Sequence, residues 1–556
     1  MDSASRTSSI FCNDGLKWRQ TARIVLTGEV WRLNRFRTIW LGALVLSALL
    51  ALLVAACSLR GEEVSGGPSA QDAADGNGEP YVMTTVGAIT PDMVFKYGET
   101  LENNVHLRWA EQRLGIRIQY LWTVPSSLFD TKLRLELAAK REVPDVIATR
   151  STIIQELIDS GEFREVGSLF DMYASETWKK AMNENRDVWE AFTRDGKRYA
   201  IPILDYEYHS DPVLWIRTDW LKRLGMEPPT TLAELEAVMR AFTSGDPDGN
   251  GLHDTTALAV ALGSGVSTRV GDSTWIFGMF GTVPDQWNVD EDGRLVYGSV
   301  HPGAKEALAV MREWFRLGFI PAEAELMDGT AAQEAFIQGK VGMIAGPHWM
   351  VYWPFGDMTG ADFRAIPLPA GPEGHVARRG SLPRNGAILI SKGMEKPEYF
   401  FKYQNFLFDT YALREGELKY GLAENYDWSY ADGRPSTDPR RVPGGYVRVA
   451  NYTLTFDGAR IPSRWRTEGQ PNTVEVLLSQ KDASWIDQYQ GAPTPTQREK
   501  GELLRKLEEE TYRQIIFGRL PLDAFDDFVN RWMDLGGRQI TEEVNEWYEA
   551  RDERRR

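Results

Sequence analysis

From Tyr81 onward the chain alternates short apolar runs with longer amphipathic ones. YVMTTVGAI (81–89) reads as a buried strand, and NVHLRWAEQRLGIRIQY (104–120) as a helix running into a second strand. In LRLELAAKREVPDVIATR (133–150) helical spacing stops at a proline and gives way to another short apolar strand. Further on, Thr231 and Glu234 are spaced as a capping box at the head of an amphipathic helix reaching Phe242. AAQEAFIQGKVGMIAGPHW (331–349) is a helix, a glycine stop, a strand and a loop carrying aromatics. NGAILISKGMEKPEYFFKYQNFLF (385–408) repeats strand, turn and helix, and beyond Thr494 the pattern is almost wholly helical. Helices alternating with short apolar strands predict an α/β fold with a parallel sheet.

Ahead of Tyr81 the pattern changes. RLNRFRTIWLGALVLSALLALLVAAC (32–57) places Arg32, Arg35 and Arg37 before an uncharged run, then small residues just before Cys57. A basic segment, an apolar segment and a small-residue cleavage site describe an export signal. The arrangement resembles the bacterial lipobox, in which cleavage precedes a cysteine that becomes lipidated; a permanent transmembrane helix is the alternative. Residues 58–80, rich in Gly, Ser and acids, read as a flexible tether. The start codon is expected near Val30, which would leave Cys12 without a role.

A length of 556 residues predicts at least two domains, and 42% hydrophobic with 26% charged residues is globular composition. The net charge of −16 argues against nucleic acid, whose phosphates require Lys and Arg opposite them. With Cys12 and Cys57 alone, no disulfide framework exists. Nineteen Trp residues leave room for some to face a ligand, although most belong in cores. Trp215, Trp220, Trp314, Trp532 and Trp547 fall at core positions of strands and helices.

DPDGNGLHDTTAL (246–258) sets oxygen-bearing side chains at Asp246, Asp248, Asn250 and Asp254, with Gly251 between them. This is how an EF-hand calcium loop begins, yet the twelfth position, where a bidentate Glu would close the cage, is Ala257. On the residues alone a polar Asx turn remains open. Enzyme chemistry finds no GxSxG elbow, HExxH pair or phosphate-cradling glycine loop. A surface glycosidase or lyase therefore stays the lesser alternative.

The succession VPDVIAT, DGKRYAIPI, LWIRTDWLKRLGMEPPTTLAEL, AFIQGKVGMIAGPHW, IPLPAGPEG and NGAILISKGMEKPEYFFKYQNFL resembles the family 1 extracellular solute-binding proteins, the sugar receptors of ABC importers. The ending IIFGRLPLDAFDDFVNRWMDLGGRQITEEVNEWY resembles their LplA-like lipoprotein branch, near the alginate-oligosaccharide binding proteins. The resemblance implies a two-lobed, periplasmic-binding-protein-like (type II) α/β fold with hinge-crossing strands and a helical C-terminal extension. It places 81–204 with 379–430 in one lobe and 205–378 with 431–556 in the other, with crossings near PILDYEYHSDP and PLPAGPEG. It further implies a monomeric, non-catalytic receptor, anchored outside the cytoplasmic membrane by lipidated Cys57. Such a receptor passes an oligosaccharide to an ABC permease; a peptide or other solute is the alternative cargo.

Sugars offer weakly apolar faces and a rim of hydroxyls, so aromatic rings, amides, carboxylates and Arg are the matching groups. At the implied crossing stand Asp205, Tyr206, Glu207, Tyr208 and His209. AGPHWMVYWPF adds His348, Trp349 and Trp353 in a turn resembling the GPW turn of maltodextrin binders. STWIFGMFG adds Trp275, and SLPRNGAIL adds Arg384 and Asn385. With few evident charge clamps, these loops favour neutral or weakly charged sugars. The resemblance also implies a structural Ca2+ site from Asp246, Asp248, Asn250, the Leu252 carbonyl and Asp254, with Thr255 where relatives carry an acid.

Overall fold

A computed structural model describes residues 79–467 and 473–555, apart from 92, 152 and 457. Cys12, the signal-like stretch, Cys57 and nearly all of the tether lie outside the described residues.

The first lobe begins with the strand Tyr81–Ile89, paired in parallel with Ile116–Pro125. Between them runs the helix Val105–Leu114, whose first turn is capped by the Asn104 side chain accepting from the amides of His106 and Leu107. Gly115 at φ 67° takes the left-handed conformation that ends the helix, so the second strand can start one residue later. Beside this pair lies a three-stranded sheet ordered Val146–Thr149, Arg384–Ile390, Ile201–Leu204. The second lobe is built on four strands ordered Phe363–Ile366, Pro212–Arg217, Val341–Pro347, Thr256–Ala259. Every residue of Pro212–Arg217 is buried, as an unbroken apolar run covered on both faces requires. The helices Leu232–Ser244 and Pro302–Arg316 share one core with the C-terminal helices Pro495–Ile516, Ala524–Trp532 and Arg538–Arg555. Asn545 pins the last of these to the lobe by bonding both the amide and the carbonyl of Leu295, at 2.8 and 2.9 Å.

Strand direction departs from the expected parallel sheet. Arg384–Ile390 runs antiparallel to both neighbours, and Pro212–Arg217 antiparallel to Val341–Pro347 and Phe363–Ile366. The cause is the crossing itself. A strand leaving one lobe for the other runs toward the junction, and a strand arriving runs away from it, so the two must oppose.

The lobe boundaries also shift. The first crossing lies at 205–211, and residues 367–377 stay with the second lobe, where Leu368 and Ala377 are buried. The return passage is Ser381–Pro383, with the Asp205 amide donating to the Pro383 carbonyl at 3.0 Å. The chain then remains in the first lobe much longer than expected. Val447, Val449, Tyr452, Leu454 and Ala459 pack into its core beside Ile388 and Phe401. It joins the second lobe again by Val474 and Leu477, which pack with Trp215 and Phe336.

One carboxylate ties these passages together. Asp211 and Arg378 form an ion pair with both side chains fully buried, Nε to Oδ2 at 3.2 Å. The same carboxylate accepts from the amide and hydroxyl of Ser381, each at 3.1 Å, and from the Ser484 hydroxyl at 2.5 Å. Arg378 Nη2 donates to the Leu477 carbonyl at 3.2 Å. Ser484–Ile486 in turn pairs in parallel with Arg378–Gly380. Removing one partner of a buried pair strands the other charge, so Asp211→Ala is expected to cost about 3–5 kcal/mol. Chemical denaturation reads this directly; a loss below about 1 kcal/mol would show that the pair does not hold the junction.

Candidate functional site

The strand Val341–Pro347 ends at the junction, because Pro347 pairs with Pro212 at the mouth of the first crossing. His348 and Trp349 are thereby delivered to the space between the lobes, at the carboxyl ends of strands where open α/β sheets hold ligands. A cavity of about 290 Å³ lies there, lined by Ala191 of the first lobe, His209, Ser381 and Arg384 of the crossings, and Asp487 and Tyr489 beyond the third passage.

Beside it, around the first crossing, lies a compact polar knot. Asp205 is 4% exposed; it is ion-paired with Arg460 and accepts from the Tyr206 amide at 2.8 Å and from Asn385 Nδ2 at 2.9 Å. Burial raises the Asp205 pKa, but Arg460, His209 and the Tyr206 amide outweigh it and hold the carboxyl down at about 2. Arg460 also lies 4.6 Å over the Tyr206 ring, holding that aromatic in place. Tyr208, at φ 57°, turns the chain back within the crossing. His209 Nδ1 is 3.2 Å from the Tyr206 carbonyl, and its own carbonyl accepts from the Trp349 indole at 2.8 Å. Burial lowers the pKa of His209 and takes His348 down to about 4, so both rings are neutral near pH 7. The neutral His209 ring donates its Nδ1–H to the Tyr206 carbonyl, which leaves its Nε2 as an acceptor for a hydroxyl.

The far wall is charged. Arg384 donates to the Val188 carbonyl at 3.1 Å and lies 5.1 Å over the Phe192 ring. Burial brings its pKa down to about 10 against the pull of Asp487. Asp487 accepts from the amides of Trp287 and Tyr489, each at 3.0 Å, yet burial pushes its carboxyl up to about 7.

The structure therefore brings together Tyr206, Glu207 and Tyr208 on the crossing with Trp349, Arg384 and Asn385. Asn385 is committed to Asp205, so it belongs to the polar knot. His348 is 6% exposed and is not among the residues lining the cavity. Trp353 stacks near Trp349, centroids 6.4 Å apart, with 56% of its surface open. Trp275 is a correction: it is 1% exposed in the second-lobe core, its indole donating to the Asp272 carbonyl at 3.1 Å, and it does not reach the cavity. Trp547, expected in the core, is half-buried and packs edge-on against Tyr489 beside the cavity.

Sequence reasoning missed Asp211, Arg378, Arg460, Asp487 and Tyr489. A signal existed in SWIDQYQG (484–491), which mixes aromatic, acidic and amide side chains as the first crossing does. A second groove, of about 350 Å³, belongs to the second lobe alone; of its lining residues only Arg364 is charged.

In the 246–254 loop, Asp246 accepts from the amides of Gly249 and Gly251, each at 3.1 Å. Asp248 and Asp254 converge on Asn250 Nδ2, at 2.9 and 3.2 Å. Thr255 turns away, its hydroxyl donating to the buried Phe242 carbonyl at 2.8 Å, so it adds no side-chain ligand. Among the described residues no group of three or more His, Cys, Asp or Glu side chains is close enough to hold a metal ion.

A family model of bacterial extracellular solute-binding proteins matches residues 95–408. Lipoprotein LipO of Bacillus subtilis is 23% identical over 468 residues, covering 80% of this chain and 88% of that protein. The polygalacturonan/rhamnogalacturonan-binding protein YtcQ of the same organism is 24% identical over 482 residues, covering 82% and 90%. Among solved structures, an EF-hand mutant of the Streptococcus pneumoniae ABC-transporter substrate-binding protein FusA, in complex with fructo-nystose, superposes with a TM-score of 0.64. It shares 19% identity and covers 85% of this chain and 100% of that one.

Proposed function

Because the chain belongs to the family of bacterial extracellular solute-binding proteins, we propose that it is a receptor which closes its two lobes on an oligosaccharide and delivers it to an ABC permease. The family consists of binding proteins rather than enzymes. The observation that carries the reading is the cavity at the crossings, lined by His209, Ser381, Arg384, Asp487 and Tyr489, with the Trp349 indole tied to the His209 carbonyl beside it. YtcQ and FusA, named for polysaccharide and oligosaccharide ligands, support the choice of sugar. The receptor acts as a monomer, held at the outer face of the membrane by lipid on Cys57; the LVAAC stretch and the name of LipO support the anchor. Hinge closure needs only the few crossing residues to change conformation.

Four outcomes follow. In a thermal-shift screen of oligosaccharides, a cargo at a hundredfold excess over Kd should raise stability by about 2.7 kcal/mol. Trp349→Ala should weaken binding of that cargo by about 2–4 kcal/mol in calorimetric titration, and unchanged affinity would remove Trp349 from the site. Calcium in the Asp246–Asp254 loop, for which the alternating oxygens of Asp246, Asp248, Asn250 and Asp254 in the sequence are the support, should make chelator lower the melting temperature. Asp248→Ala should abolish that sensitivity; equal melting of the parent with and without chelator would leave the loop a plain Asx turn. Cys57→Ala should lose palmitate labelling in cells, and persistent labelling would contradict the anchor.

A further inference from the structure

Three arginines come to the crossings from distant parts of the chain, Arg269 and Arg379 as neighbours of one another and Arg384 in the cavity wall. Arg379 sits on the crossing strand Arg378–Gly380, one residue from the buried Arg378, and points the opposite way. Its Nη2 donates to the carbonyl of Thr268 at 3.5 Å, which brings it beside Arg269. Arg269 is exposed along its length and lies within electrostatic reach of Asp205, His209 and Arg379.

None of the three forms an ion pair among the described residues; beyond ring contact, their hydrogen bonds go to backbone carbonyls alone. That is unusual here, because the neighbouring arginines of the junction are matched: Arg378 with Asp211 and Arg460 with Asp205. The acids nearest the unpaired three are engaged elsewhere. Asp272 is 1% exposed and accepts from the amides of Thr268 and Thr274 and from the Thr274 hydroxyl. Asp487 accepts from two amides, and Asp285 attracts Arg379 without reaching ion-pair contact. Burial pushes the carboxyls of all three upward, which reduces the charge they set against the arginines. Like-charged Arg269 and Arg379 are thus held near one another, and Asp205, the ionised carboxylate that attracts Arg269, is itself ion-paired with Arg460.

From this convergence we infer that the cargo is an acidic oligosaccharide, one whose sugar carboxylates lie between Arg269, Arg379 and Arg384; the inference rests on the receptor reading above. A guanidinium presents two parallel N–H donors matched to a carboxylate, and such charge-assisted bonds are about twice as strong as neutral ones. The expectation of neutral sugars drawn from the separate loops therefore gives way, since no single loop contains the cluster.

The test uses the full chain in detergent, titrated with tetragalacturonate, tetramannuronate and the tetragalacturonate whose carboxyls have been reduced to alcohols. At least one uronate should bind about tenfold or more tighter than the reduced oligomer, with an affinity that falls steeply as salt is added. Arg269→Gln and Arg379→Gln should each bring that preference to within about twofold, while Arg379→Lys, which keeps the charge, should retain part of it. Equal affinity for the charged and reduced oligomers, or binding of neutral oligosaccharides alone, would overturn the acidic cargo and leave the receptor reading standing. Failure of every charged and neutral oligosaccharide to bind would overturn both.

Discussion

The junction depends on a single buried carboxylate. Asp211 lies on the first passage between the lobes, Arg378 and Ser381 on the return, and Ser484 beyond the third. Taking a guanidinium and a carboxylate out of water together is costly unless their remaining donors and acceptors are satisfied. Here the carboxylate takes four hydrogen bonds, from Arg378, Ser381 and Ser484. Because its partners come from separate passages, the arrangement forms only when all of them have arrived. It therefore specifies which strands cross side by side, beyond whatever net stability it adds.

Placement of the cavity follows from that constraint. With Arg378–Gly380 fixed against Ser484–Ile486, the residues just after each strand turn toward the same space: Ser381 and Arg384 on one side, Asp487 and Tyr489 on the other. Asp205 and Arg460 pair beside it, and Trp349 is locked to the first crossing through the His209 carbonyl. Groups that must hold the junction are paired and buried. Those left with unused hydrogen-bonding capacity line the opening, which is the division of labour expected of a site that grips its ligand by moving two rigid bodies.

Much of this was legible from the residues. Element identity followed periodicity and caps, as with the Thr231–Glu234 box, present as expected. Tyr206 and Trp349 drew notice because polar and aromatic side chains in loops after strands have few structural duties. Trp275 could not be excluded, since its short segment gives no periodicity to reveal burial on every side. Strand direction, the late return of the 447–459 segment and the pairing of 378–380 with 484–486 depend on contacts between residues far apart in the chain. The same distance hid the arginines: Arg269 and Arg379 become neighbours, and Arg384 reaches the cavity, only after the crossings form.

The central claim is that one ligand is held between the lobes at the crossings. A crystal structure of the chain with an oligosaccharide drawn from the stability screen tests it most directly. The account predicts sugar density in the cavity lined by His209, Ser381, Arg384 and Asp487, in contact with Trp349 and touching both lobes. Density confined to the groove of Pro228–Thr230 and Arg364–Leu368, or against one lobe alone, would contradict it.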